Sequence, residues 1–333
     1  MIGRGIPLVD LAEVYPGERP DKVRAALDRF ALEEASDDPQ FELGHAVLAA
    51  VFGPTGEIER RDTLLRWFEA GSLSEPSFPI QAHYHLLLAR DRDGALAGVR
   101  DCFVTVDAAA GLAVVLLSHT FVFPDFRRSG VASLLRCAPV GLARRALHRA
   151  GVKRGEVLLV AEMELVDPAD RACAVRLFAY GKAGYGLVPP EILPYAQPDF
   201  RDPALATTPL SPLPFLAVVR AVGEEDRLSL PWVRVEAIVH HLQAVHRCHC
   251  RPEDLAPIRD HALAGLARWR QAHPGAAGVG LVCPSDARAL LPFLQSVVLP
   301  LYPEPWGSPW QPDTPDAERA ALLRAWEEPE PAR

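Results

Sequence analysis

Three consecutive strand-like runs between residues 82 and 123 constrain the fold of this 333-residue chain more than any other feature. The runs are AHYHLLLARD, ALAGVRDCFVTVD and GLAVVLLSHTFVF, and the short turns DRDG and AAAG separate them. Apolar runs joined by tight turns are typical of neighbouring antiparallel strands. The sequence therefore predicts an antiparallel meander in the first half of the chain.

Helical patterns lie on both sides of this meander. Before it, the segments KVRAALDRFALEEA, FELGHAVLAAVFG and EIERRDTLLRWFEA space their apolar residues by three and four, which predicts three amphipathic helices. After it, we expect a helix over 130–150, a strand over 157–165, a helix over 169–183 and extended stretches at LVPPEILPYA and PFLAVVRAV. Beyond residue 230 the pattern is helical again.

This order of elements divides the chain into four parts. We expect an N-terminal helical part over 1–80, a core over 81–225, a helical extension over 226–300 and a Pro-rich tail over 301–333. The helices of the extension carry apolar faces. We expect these faces to pack on the core or against a second copy of the chain in a homodimer.

Composition and charge exclude several classes of protein. A formal charge of -8 and a pI of about 5.8 argue against nucleic acid as a partner, because phosphate binding needs clustered Lys and Arg. The N-terminus lacks the pattern of a secretory signal and the six cysteines are scattered, so we expect a cytoplasmic protein with reduced thiols. No apolar run approaches the roughly 20 residues of a membrane helix, so we expect no membrane partner.

One segment has the pattern of an anion site. A hydrophobic strand ends in Phe121-Val122-Phe123 and runs through a proline into a turn. A helix then opens within Arg127-Arg128-Ser129-Gly130-Val131-Ala132-Ser133. The first amides of a helix have no intrahelical acceptor, and the helix dipole makes them a site for phosphate. Gly130 and Ala132 are small enough to let a ligand approach the backbone, and Arg136 adds positive charge.

The pattern of a strand, V-x-P-x-x and then R-x-x-G-x-A at a helix start resembles motif A of the GCN5-related N-acetyltransferases, the GNAT superfamily. A second segment, AVRLFAYGKAGY at 174–185, is similar to the family's helix that ends in a tyrosine, three residues and a glycine-aromatic pair. The resemblance covers residues 81–222. It implies an α/β (α+β) fold with a mixed, mostly antiparallel sheet whose central strands splay apart, flanked by helices.

The resemblance also implies a function. It implies an N-acetyltransferase that uses acetyl-CoA, and no metal, to acetylate a primary amine by direct attack on the thioester. In the family, motif A binds the pyrophosphate and the pantetheine lies between the two splayed strands. Here those strands are 121–123 and 157–165. The acceptor is a small-molecule or peptide amine, and an acidic protein favours a cationic one.

Direct attack requires one group that takes the ammonium proton and one that protonates the leaving thiolate. Tyr180 matches the family's tyrosine acid. The base has three candidates. Glu162 and Glu164 alternate near the end of a buried strand and so share one of its faces, and His119 stands where many family members carry an acidic base.

Three further patterns bear on the site. Pro139 lies within the helix after motif A, so we expect that helix to bend or split. Basic residues end the same helix, and they either meet the 3'-phosphate of CoA or form an ordinary exposed face; they are Arg144, Arg145, His148, Arg149, Lys153 and Arg154. The His- and Cys-rich stretch at 240–250 lacks the ligand spacing of a zinc site.

Two alternatives to an acetyltransferase stay open. One is a non-catalytic acyl-CoA-binding module with a regulatory role, and the other is an acyltransferase that uses a longer acyl donor. A usable acid and base favour an enzyme, whereas a cleft blocked by the terminal helices favours a binding module.

Overall fold

An eight-stranded sheet organises the fold. The computed structural model describes residues 6–54, 56–72, 79–165, 171–200, 212–247, 250–298 and 301. The helices are α1 (Pro20–Leu27), α2 (Asp38–Phe52), α3 (Arg61–Ala70), α4 (Val131–Arg149), α5 (Arg171–Lys182), α6 (Trp232–His246), α7 (Pro252–Ala272) and α8 (Ala287–Phe293). The strands are β1 (Phe30–Glu34), β2 (Gln81–Asp91), β3 (Leu96–Asp107), β4 (Leu112–Leu117), β5 (Thr120–Val122), β6 (Glu156–Met163), β7 (Gly186–Leu187), β8 (Ala196–Gln197), β9 (Leu213–Pro214), β10 (Leu216–Ala221), β11 (Ser229–Pro231) and β12 (Gly278–Gly280).

The sheet is mixed and mostly antiparallel. Its strand order is β1-β2-β3-β4-β6-β10-β7, with β5 beside β3. The antiparallel meander predicted between residues 82 and 123 is confirmed in β2, β3 and β4. The strands β4 and β6 are parallel, from Leu112 opposite Glu156 to Leu117 opposite Ala161. Because α4 connects this parallel pair, the helix after motif A crosses one face of the sheet.

One expectation about secondary structure is wrong, and a second is narrowed. The residues Phe30–Glu34, predicted to continue the first helix, form strand β1 at the edge of the sheet. Pairing with β2 and burial of Phe30, which is 4% exposed, outweigh a local helical pattern. Of the two outcomes expected at Pro139, a bend or a split, the split does not occur: α4 is one continuous helix, and its turns on both sides of the proline are buried in the core.

Helices cover both faces of the sheet. On the first face α4 and α5 pack on the core cluster that contains Leu134 and Leu177. On the second face α2, α3 and α6 pack on a cluster that contains Phe41, Leu64 and Ile238. The C-terminal extension thus contributes α6 to the second layer, which agrees with the expectation that it packs on the core. Within the described ranges, no helix is both long enough and apolar enough to cross a membrane.

Candidate active site

The loop between β5 and α4 has the backbone form of an anion site. A 3-10 turn at Pro124–Phe126 is followed by Arg128 at φ 63° and Gly130 at φ 97°. These positive φ angles belong to the left-handed region, which glycine adopts without strain. The amide of Leu134 donates to the carbonyl of Gly130 at 3.0 Å. The helix therefore begins with amides that have no intrahelical acceptor, at Val131, Ala132 and Ser133.

Two expectations about this loop need correction. The Cα of Gly130 does not face open space, because a Cβ there would lie 2.7 Å from the Cβ of Ala26 in α1. Arg136 does not offer an uncompensated charge to a ligand, since it forms a buried ion pair with Glu18. Burial alone raises the pKa of Glu18, but the charge of Arg136 and the hydrogen bonds with Arg136 and Ser133 together outweigh burial and lower that pKa overall. The exposed cations of the loop are Arg127 and Arg128.

The basic residues at the far end of α4 have other partners or are exposed. Arg144 pairs with Glu13 at 2.7 Å, and Arg145 donates to the carbonyl of Ile6 at 2.7 Å. At 1.5 Å per residue they lie about 18 Å along the helix from Ala132. The structure therefore favours an ordinary helix face over contact with a 3'-phosphate.

Tyr180 lies on α5 and reaches back to the sheet. Its hydroxyl oxygen accepts a hydrogen bond from Nη2 of Arg100 at 3.0 Å. Its ring meets that of Tyr185 edge to face, with the centroids 4.9 Å apart. The phenolic proton itself has no acceptor among the described residues. A proton donor is thus held in place by a cation.

Glu162 lies near the end of β6, on the face that α6 covers. It accepts a short hydrogen bond from the hydroxyl of Tyr195, whose oxygen lies 3.0 Å from Nε2 of His246. Burial raises the pKa of Glu162 to about 7 and lowers the pKa of His246 to about 4. Because Tyr195 gives its only proton to Glu162, neutral His246 must donate to Tyr195 through Nε2. His246, Tyr195 and Glu162 thus form a chain of hydrogen bonds that ends at a carboxyl group with a pKa near neutral pH.

Glu164 has a different environment. It forms an ion pair of 2.7 Å with Arg176 of α5, and its side chain is 34% exposed. The expectation that Glu162 and Glu164 share a face is wrong. Since β6 ends at Met163, the alternation of faces ends there too, and the two carboxylates turn to different helices.

His119 is buried and both of its ring nitrogens are engaged. Nδ1 lies 3.0 Å from Oδ1 of Asp101, and Nε2 lies 3.0 Å from the carbonyl oxygen of Glu57. Burial lowers the pKa of His119, but the charge and hydrogen bond of Asp101, together with the charge of Glu59 and the carbonyl of Glu57, outweigh burial and raise this pKa to about 9. The ring is therefore an imidazolium that donates to both partners at neutral pH. This geometry argues against His119 as the base.

A second buried carboxyl lies beside this group. Glu59 follows α2 in the chain, is 6% exposed, and has a pKa raised by burial to about 7. The charge of His119 opposes this rise, and the charges of Asp101 and Glu162 add to it. The second face of the sheet thus gathers three carboxyl groups around one imidazolium.

The sheet has a gap between β5 and the end of β6. β4 pairs with β6 as far as Leu117 opposite Ala161, and β5 then pairs with β3 instead. Meanwhile β6 continues to Glu162 and Met163 beside β10. Parallel strands that splay apart, with motif A leading from one of them into a helix, are the feature that the sequence resemblance predicted. The sheet of this chain therefore has the mixed topology with splayed strands that the resemblance implied.

Comparison with known proteins gives matches among solved structures. No protein-family model matches the sequence, and no curated protein matches it. A phosphinothricin acetyltransferase of the GNAT superfamily from Sinorhizobium meliloti, in complex with AcCoA, is 14% identical over 59% of this chain and 89% of its own, at a TM-score of 0.34. A spermidine N-acetyltransferase from Vibrio cholerae, in complex with CoA and spermine, is 12% identical over 60% of this chain and 98% of its own, at a TM-score of 0.32.

A further match is to the GCN5-related glucosamine N-acetyltransferase region of a fungal multi-domain β-N-acetylglucosaminidase. It is 16% identical over 47% of this chain, at a TM-score of 0.33. The match covers only 17% of that fungal protein.

The sequence analysis missed several residues of this candidate site. Tyr195 and His246 come from segments outside the two motifs, and no spacing rule links them to Glu162. Arg100 carries a signal that is visible in the sequence, since Arg100-Asp101 is a charged pair inside an otherwise apolar strand. In the His- and Cys-rich stretch, Cys248 and His249 lie outside the described residues.

The imidazolium of His119 predicts a pH-dependent stability for the protein. Its pKa rises from an ordinary value near 6.5 to about 9, so its contribution is complete below pH 6.5 and is lost as the pH rises through about 9. The free energy of unfolding of the parent, relative to that of His119→Gln, is therefore expected to be about 3 kcal/mol larger at pH 6 than at pH 9.5. Urea unfolding at both pH values measures this difference. An equal difference at the two pH values contradicts the assignment of charge.

Proposed function

We propose that this chain is an acetyl-CoA-dependent N-acetyltransferase whose acceptor is a cationic primary amine. The observation that carries the proposal is the placement of Tyr180 and Glu162 on the two faces of the splayed strands. A proton donor on the side of α4 and α5 and a titratable carboxylate on the side of α6 match the two proton transfers of thioester aminolysis.

The residues of the gap fit an acyl donor. The amide of Phe123 donates to Ala97 of β3 at 3.1 Å, so by alternation the N–H and C=O of Val122 face the gap. Val122 would pair with the amides of the pantetheine as a neighbouring strand does. The amides of Val131, Ala132 and Ser133, with Arg127 nearby, would hold the pyrophosphate. When bound, acetyl-CoA supplies an acyl carbon that a neutral amine can attack.

The second face suits an amine that arrives as a cation. Asp101, Glu59 and Glu162 lie near the positive charge of His119, so these four described groups together carry a net negative charge once the two titratable carboxyls ionise. A negative cleft raises the local concentration of cations. Glu162 then removes the ammonium proton, and Tyr195 and His246 hold its carboxylate in position.

One observation favours a second candidate, a non-catalytic acyl-CoA-binding module. The helix α1 packs against Gly130, and Glu18 places a carboxylate on Arg136 beside Ser133. This N-terminal segment narrows the access of an anion to the start of α4. A module would bind CoA without releasing free thiol from acetyl-CoA in the presence of any amine, which separates it from an enzyme.

The pyrophosphate site can be tested at Ala132, which is half-buried at the start of α4. Ala132→Glu should lower the affinity for acetyl-CoA at least tenfold, because its carboxylate stands where the pyrophosphate is expected. A glutamate at a helix N-terminus is favourable for the helix, so the fold should persist. Isothermal calorimetry measures the affinity.

Ala132→Gln is the matched control, since it adds the same bulk without the charge. Equal affinities for the Glu and Gln variants would show that charge at this position does not matter, and the pyrophosphate assignment would be wrong. Gly130→Glu is a poorer test, because its effects on backbone strain and on the contact with Ala26 cannot be separated from ligand binding.

A further inference from the structure

Arg100 is a buried arginine with an unusual set of partners. It lies on β3 opposite Thr120 of β5, at the edge of the gap, and is 1% exposed. Nη2 donates to the hydroxyl of Tyr180 at 3.0 Å, while Nε and Nη1 have no acceptor among the described residues. No described carboxylate forms an ion pair with it, so its charge is uncompensated in this part of the chain.

The neighbouring arginines on the same face are paired. Arg136 pairs with Glu18, and Arg220 pairs with Glu225 at 2.8 Å. An unpaired charge taken out of water is costly, and fold stability gives no reason to keep one. The unpaired charge of Arg100 is therefore explained best by an anionic group that is present only when a ligand is bound or reacting.

Two hydroxyls at the same edge strengthen this argument. The Oγ1 of Thr120 and the Oγ of Ser118 are buried and have no hydrogen-bond partner among the described residues. Buried polar groups are almost always paired in native proteins. A cation and two hydroxyls without partners, all beside the splayed strand, indicate a site that a polar ligand completes.

We infer that Arg100 is a positioning residue that acts through Tyr180 to stabilise the sulfur as it leaves. This inference rests on the proposed function. As the bond from the amine nitrogen to the acyl carbon forms, the C–S bond breaks and its electron pair goes to sulfur. The phenolic proton moves from Tyr180 to that sulfur, and Arg100 holds the resulting phenolate until water returns a proton. Glu162 takes the ammonium proton before the attack, and the second proton that the nitrogen loses as the amide forms goes to solvent, so the reaction releases one proton for each acetyl group transferred.

Kinetics of two variants test the inference. Arg100→Met keeps the length of the side chain and removes the charge, so kcat should fall at least tenfold while the KM of the amine changes little. Arg100→Lys restores the charge and should recover part of the loss. When Tyr180→Phe is already present, the addition of Arg100→Met should lower kcat little further, because Arg100 acts through the hydroxyl that Tyr180→Phe removes. Equal losses in the two backgrounds overturn the inference.

Folding gives a separate readout. Removal of an uncompensated buried charge should leave the melting temperature of Arg100→Met equal to or above that of the parent. A clear fall in melting temperature identifies Arg100 as a structural residue and contradicts its assignment to the leaving group.

Binding of CoA, measured without any amine, tests whether the charge of Arg100 favours an anionic sulfur. Calorimetry compares CoA with desulfo-CoA, which lacks the sulfur, between pH 7 and pH 9. A thiol ionises near pH 8.5, and a nearby cation favours the thiolate, so the parent should gain about tenfold in its preference for CoA as the pH rises. Arg100→Met should lose this gain. If both proteins bind CoA with the same pH dependence, the inference fails and the proposed function stands; if the parent binds neither compound, the proposed function fails and the inference with it.

Discussion

Glu162→Gln is expected to slow acetyl transfer about 100-fold or more at pH 7, because it removes the group that takes the ammonium proton. Gln fills nearly the same volume and can still accept the hydrogen bond from Tyr195, so the fold and the affinity for acetyl-CoA should stay near those of the parent. Steady-state release of free thiol, with an amine found by screening, measures the rate.

The pH dependence of this reaction follows from the burial of Glu162. A base acts only when it is deprotonated, and burial raises the pKa of this carboxyl to about 7. The kcat/KM of the parent should therefore rise about tenfold per unit below pH 7 and level off above it. Glu162→Gln should lack this rise, and its residual rate should improve at high pH, where more of the amine arrives already deprotonated.

Two other glutamates of the same strand region control for this result. Glu156 lies at the start of β6, its side chain is 57% exposed, and Glu156→Gln should leave the rate unchanged. Glu164→Gln separates the two candidate bases, because Glu164 is paired with Arg176 on the side of α5. A large loss in Glu164→Gln together with a normal rate in Glu162→Gln would move the base to Glu164.

Local pattern was enough to predict much of the fold. The meander, the helix α4 and the strand β6 follow from apolar periodicity and from turn residues, which act over a few neighbours. The strand β1 was missed because its pairing is decided by the free edge of β2, more than 50 residues further along the chain. The apolar pattern within residues 22–35 therefore does not show that part of this segment pairs with β2.

The candidate site divides in the same way. The loop at 127–133 and Tyr180 stand in motifs whose spacing is fixed by a single turn or helix, so the sequence alone singled them out. The environment of Glu162 depends on Tyr195 and His246, which reach it from other segments. His119 shows most clearly what the sequence alone does not reveal. Its contact with Asp101 favours the protonated imidazolium, which is not a base, and no local pattern shows this contact.

Tyr180→Phe is expected to lower kcat roughly 100-fold while the affinity for acetyl-CoA stays near that of the parent. The substitution removes only the hydroxyl, and the ring keeps its edge-to-face contact with Tyr185. Without the phenolic proton the sulfur must leave as a thiolate or take a proton from water. It would also leave Arg100 without its one described partner, so the effect of Arg100 on turnover should be lost together with that of the hydroxyl. Thiol release and calorimetry measure the two quantities.

Tyr185→Phe is the matched control, because the same atom is removed from the neighbouring ring. The hydroxyl of Tyr185 is buried and has no hydrogen-bond partner among the described residues. Loss of an unsatisfied buried hydroxyl costs little or even stabilises a protein, so this variant should keep both its fold and its turnover. If Tyr180→Phe and Tyr185→Phe behave alike, the tyrosine of α5 contributes packing only, and another group must protonate the sulfur.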